Sequence, residues 1–175
     1  LRHVHGDIAL FRELRAHVLD KSRTNRIFLA FMTGNALSHQ PPLGFFRSFV
    51  VESKGEHRNK FDIKSAMTPV VDFARIFALK YKLEETNTLD RLHQLSLQRV
   101  LTPKEYEELD KAYSFMLQLR FARQVSAVLD EKSAPDNYIN PKKLSRIEQT
   151  TLKEIFKRIE KFQAKLSFDF IGQQF

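Results

Sequence analysis

Apolar residues recur at helical spacing along most of the chain, and the longest such stretch runs from Thr102 to Leu129. Thr102-Pro103-Lys104-Glu105 opens it with a full start signal. Threonine caps the first amides, proline suits the first helical position, and Glu105 reaches back in a capping box. No proline or glycine follows before Leu129, which predicts one helix of about seven turns. Its first half is amphipathic through Tyr106, Leu109, Ala112, Tyr113 and Met116. From Phe115 to Val125 apolar side chains point nearly all the way round. Such a helix is expected at the centre of a bundle, and it is too polar and interrupted to span a bilayer.

The remaining pattern places further helices around it. Asp7 caps a first helix with the stripe Leu10, Phe11, Leu14 and Val18, broken at Lys21 to Thr24. A second runs from Asn25 to His39 and ends at Gln40-Pro41-Pro42. Residues 45 to 52 are aromatic and β-branched, residues 53 to 57 read as a polar turn, and residues 60 to 64 alternate, which predicts a β-hairpin. Thr68-Pro69 starts a third helix, largely apolar between Pro69 and Leu79. A fourth carries Leu89, Leu92, Leu95 and Leu97. After a polar loop from Asp130 to Pro141, Ser145-Arg146-Ile147-Glu148 opens the last helix with a second capping box. Its stripe is Ile147, Thr151, Leu152, Ile155, Phe156, Ile159, Phe162 and Leu166. The tail from Phe168 to Phe175 is expected to dock or fray. The fold class is therefore all-α, a bundle of about six helices with one β-hairpin insertion.

Composition bounds the function without naming it. The 175 residues make one domain, 1–175, with residues 1–6 as a linker or the end of a preceding strand. There is no cysteine, which excludes disulfides, thiol catalysis and cysteine metal sites and suits a cytoplasmic location. Neither a signal peptide nor a membrane-spanning run occurs. The chain begins at Leu1 rather than Met and is read as a piece of a longer polypeptide. The net charge of +8 suits an anionic partner or simply a basic surface.

The candidate chemistry is sparse. The six histidines are scattered without a zinc-binding spacing, so no metal site is expected. No P-loop and no clustered carboxylates occur, so no catalytic residue is assigned. Lys153, Lys157, Lys161 and Lys165 stand four apart and form a basic ridge, either a phosphate-tracking face or a solvated one. No aromatics interleave with them, and nucleic acid is not the expected partner. Charges on buried helices say more. Asp72 and Arg75 stand three apart, and Arg120 and Gln124 four apart. Arg120 either meets an acid such as Asp72 across the bundle or lines a cavity for an anionic ligand.

Several stretches, in this order, resemble one family. They are Val4-His5-Gly6-Asp7, Pro41 to Arg47, Phe61-Asp62-Ile63-Lys64, Pro69 to Arg75, Thr86-Asn87-Thr88 with Arg91-Leu92, Leu119-Arg120 with Gln124, and Leu152-Lys153-Glu154 with Phe156. Together they resemble the nucleotidyltransferase substrate-binding domain found at the C-terminus of bacterial signal-transduction proteins. Those proteins carry cyclic-nucleotide-binding and CBS modules and a nucleotidyltransferase domain similar to protein-PII uridylyltransferase. The resemblance implies a helical bundle similar to that of kanamycin-type nucleotidyltransferases, packed beside an upstream catalytic domain in the same chain. That domain's Gly-Ser motif and Asp-x-Asp are missing here, and a further carboxylate falls before Leu1, so this chain alone is expected to be inactive. Magnesium and a nucleoside triphosphate are implied for the parent protein, with no cofactor in this segment. Arg47, Asp72, Arg75, Arg120 and Gln124 are the expected wall of a substrate cavity. The acceptor is a protein or a small molecule. The other readings are a basic interaction module for nucleic acid or an acidic partner domain, and a homodimerisation bundle.

Overall fold

Asp62 starts the helix around which the domain is built. Its Oδ1 accepts from the backbone amides of Lys64 at 2.8 Å and Ser65 at 3.3 Å. The helix it caps, α3, spans Ile63–Lys80. The computed structural model describes residues 3–44 and 46–172. Within it, α1 spans Ile8–Thr24, α2 Arg26–Leu37, α4 Thr88–Leu97, α5 Pro103–Leu129 and α6 Arg146–Phe170, with a 3₁₀ turn at Pro141–Lys143. The fold class is all-α, as the periodicity predicts.

The start of α3 differs from the expected Thr68-Pro69, which lies inside the helix. A proline there forfeits one ladder bond and crowds the carbonyl four residues back. The Asp62 cap and the burial of Ile63, Ala66 and Met67 outweigh that cost. α1 also runs through its expected break to Thr24, and Asn25 alone separates it from α2. The Asn25 Oδ1 accepts from the Phe28 amide at 2.9 Å and restarts the helix.

The centre of the bundle is α3 rather than α5. α3 touches all five other helices, and its buried face includes Val70, Phe73, Ala74, Ile76 and Phe77. Phe73 lies 4.7 Å from the ring of Phe77 and 5.4 Å from that of Phe162 on α6. α5 buries only Leu109, Ala112, Met116 and Ala127. Its second half leaves Phe121 66% and Leu129 61% exposed. An all-round apolar pattern marks a helix with much to bury, and here the bundle covers one side of it.

The small antiparallel sheet is present, with a different partner from the one expected. β1, Phe61–Asp62, pairs with β2, Tyr138–Ile139, from the loop after α5. The reversal before β1 does form: the Glu52 amide donates to the Lys60 carbonyl at 2.8 Å, and the Asn59 amide to the Glu52 carbonyl at 2.8 Å. Residues 43 and 49 make only an isolated bridge. Phe49 docks that loop by stacking 5.8 Å from Phe61, with Phe156 edge-on to both. Phe45 and the last three residues, where the hairpin and tail expectations partly fall, lie outside the described residues.

Candidate functional site

The C-terminal end of α3 turns the chain back on itself. Lys82 adopts the left-handed conformation (φ 56°) and the Leu83 amide donates to the Ala78 carbonyl at 2.8 Å. The returning loop brings Glu85, Thr86 and Asn87 alongside α3. Asn87 then caps α4 through its Oδ1, which accepts from the Leu89 amide at 2.8 Å. The positive end of the α4 dipole therefore lies beside the flank of α3 that carries Arg75.

Arg75 and Arg91 stand between two cavities at this junction. The outer cleft, of about 550 Å³, is lined by both arginines, by Thr86 to Leu89, and by Tyr113 and Leu117 of α5. The inner cavity, about 180 Å³, adds Arg15 of α1 and Glu85. Each central arginine is anchored by one contact. Arg75 Nη1 donates to Asp72 Oδ1 at 2.7 Å, and Arg91 Nε donates to the Glu85 carbonyl at 2.8 Å. A guanidinium has five N–H donors, so most of each fork is left for something else. Burial pushes the Arg91 guanidinium below its ordinary value, Arg75 and Arg15 push it the same way, and Glu85 opposes them. No carboxylate belongs to the outer cleft wall. Two cations beside a helix N-terminus attract an anion, with Asp72 on Arg75 and Asp90 in the first turn of α4 offsetting part of that charge.

The structure separates the five residues expected to share one wall. Asp72 and Arg75 pair within α3, with His39 Nδ1 at 3.9 Å from Asp72. Arg120 does not reach Asp72. Its Nε donates to Asn137 Oδ1 at 2.8 Å, and Gln124 Nε2 donates to the same oxygen at 3.1 Å. Arg47 stands apart from both groups, exposed at the tip of the 42–50 loop with φ 57°. Of the five, Arg75 alone lines the cationic cleft. Sequence reasoning had not singled out Arg15 and Arg91 as site residues. The available signal was Arg91 itself, a cation one turn inside a helix N-terminus, where the dipole disfavours it.

The lysine ridge is largely spoken for. Lys153 lies 5.3 Å over the Phe49 ring, Lys157 pairs with Glu154, and Lys165 bonds Glu105 of α5 at 2.7 Å. Lys161 is exposed.

A second ionic cluster ties the loop after α5 to that helix. Arg123 bonds both oxygens of Glu131, at 2.5 and 2.9 Å, and also Asp136. The Arg123 guanidinium holds the Asp136 carboxyl below its ordinary value of 3.8. A carboxyl whose folded pKa is depressed stabilises the fold above its unfolded pKa, and that contribution is lost as pH falls through the folded value. Urea unfolding of the wild type is therefore expected to show stability declining below about pH 4. Arg123→Gln should flatten that part of the profile; an unchanged slope would mean the pair contributes nothing to stability.

Among the described residues no three histidines, aspartates or glutamates converge to hold a metal, and no helix is long and apolar enough to cross a membrane. What the fold presents is a helical bundle with a cationic cleft at the α3–α4 junction. The sequence profile of the family described as "Putative nucleotidyltransferase substrate binding domain" matches residues 26–170, from the start of α2 to the end of α6. The chain belongs to that family. No curated protein and no solved structure matches it.

Proposed function

We propose that this domain is the substrate-holding half of a nucleotidyltransferase similar to protein-PII uridylyltransferase. It would position an acceptor, a protein or a small molecule, beside a catalytic domain that precedes it in the same polypeptide. The observation that carries this reading is that residues of three family-like stretches, Arg75, Thr86 to Thr88 and Arg91, line one cationic cleft. Arg75 and Arg91 would orient the acceptor rather than do chemistry. Magnesium and the nucleoside triphosphate belong to the preceding domain on this reading, where the resemblance puts the carboxylates that would hold the ion.

The test is transfer of label from nucleoside triphosphates with magnesium in a host extract, using the parent polypeptide with and without residues 1–175. The reading predicts a labelled acceptor only when this segment is present. Equal labelling without it would place specificity upstream and leave the bundle an assembly element.

A further inference from the structure

We propose that the outer cleft between Arg75, Arg91 and the start of α4 is a binding site for a phosphomonoester, the terminal phosphate of a small molecule whose body lies on Tyr113 and Leu117. The inference deepens the substrate-holding reading and rests on it for the purpose of the cleft.

The donors outnumber what a carboxylate accepts. Arg91 spends its Nε on the Glu85 carbonyl, and Arg75 spends one Nη on Asp72. The other guanidinium donors of both have no partner among the described residues. Thr86 and Thr88 line the same wall, at the N-terminal end of the α4 dipole. A phosphomonoester brings three strongly accepting oxygens and close to two negative charges, and a carboxylate brings two oxygens and one charge. Forked guanidinium groups suit tetrahedral phosphate oxygens in pairs.

Charge balance points the same way. Asp72 offsets Arg75 in part, and Glu85 lies on the inner-cavity side with its Oε2 buried and without a hydrogen-bond partner among the described residues. Arg75 and Arg91 are the charged residues lining the outer cleft, with Asp90 of the first α4 turn outside that lining, and burial already works against the charge on Arg91. A dianion in the outer cleft relieves that penalty. The cleft, about 550 Å³, has room for more than a phosphate, and Tyr113 and Leu117 give the rest of the ligand a ring and an aliphatic surface. A phosphodiester backbone fits less well, since two esterified oxygens leave one charge and two free acceptors.

The test is a titration of the isotopically labelled full chain, read by NMR at the Arg Nε–H signals and the backbone amides of Thr88 and Leu89. The probes are inorganic phosphate, a nucleoside 5′-monophosphate, a dinucleotide phosphodiester and acetate. Phosphate and the monophosphate should shift these signals saturably, the monophosphate more tightly and with Tyr113 ring signals moving too. The diester and acetate should be at least tenfold weaker. Arg91→Gln should weaken the monophosphate at least tenfold. Because Arg91 also anchors the Glu85 carbonyl, Arg75→Gln, on a half-exposed side chain, is the second variant and should weaken it severalfold with the fold intact. Equal binding of diester and monoester, shifts centred elsewhere, or no saturable shift overturns the assignment. If labelling in the extract still requires residues 1–175 while no phosphate probe binds here, this inference fails and the substrate-holding reading stands.

Discussion

Phe73→Ala is expected to cost about 3–5 kcal/mol, the usual range for emptying a ring-sized space in a core. Phe73 is 1% exposed and lies on the helix that every other helix touches. Its ring meets Phe77 on its own helix and Phe162 on α6, so the cavity would open between elements distant in sequence. Small domains are typically stable by only about 5–15 kcal/mol, so the variant should lose much of its cooperative urea transition or unfold at moderate temperature. Phe121→Ala, on the exposed side of α5, should change stability by less than about 0.5 kcal/mol. Similar costs at the two sites would mean that α5, rather than α3, is the centre of the bundle.

Asn137→Ala is expected to cost about 1–3 kcal/mol, the range for leaving partly buried polar groups unpaired. Its Oδ1 takes bonds from Arg120 and Gln124 together, and its backbone carbonyl accepts from the Ile63 amide at 3.0 Å, next to the β1–β2 pairing. Alanine keeps the backbone bond and removes the shared acceptor. Asn137→Asp keeps an acceptor there and adds a charge opposite Arg120, so it should recover most of the loss. Urea midpoints of the two variants measure the difference. Equal losses in both would show that the side-chain oxygen contributes little, and that Arg120 is satisfied some other way.

Local signals were legible in the chain and nonlocal ones were not. The capping boxes at Thr102 and Ser145 form as predicted because every atom in them lies within four residues. Thr68-Pro69 is the stronger local start signal, and burial of the turn before it lets the helix begin six residues earlier at the Asp62 cap. The partner of β1 could not be read, since Tyr138–Ile139 is a two-residue strand too short to alternate. Periodicity likewise says that α5 is apolar around its second half, but not which side the bundle covers.

The site divided along the same line. Arg75 stood out as a charge on an otherwise apolar helix. Arg91 belongs to a family-like stretch, but no pattern in the sequence ties it to Arg75; the reversal at Lys82 sets the two side by side. Arg120 and Gln124 stand four apart on one flank of the helix, and the partner they share, Asn137, lies in a polar loop that no pattern ties to that helix.

The most direct test of the account is the steady-state kinetics of the parent polypeptide carrying Arg75→Gln and Arg91→Gln together. If the cleft holds the acceptor, the acceptor KM should rise at least tenfold, with the KM for the nucleoside triphosphate unchanged. Both KM values unchanged in a folded double variant would contradict the claim that this cleft is where the domain takes its substrate.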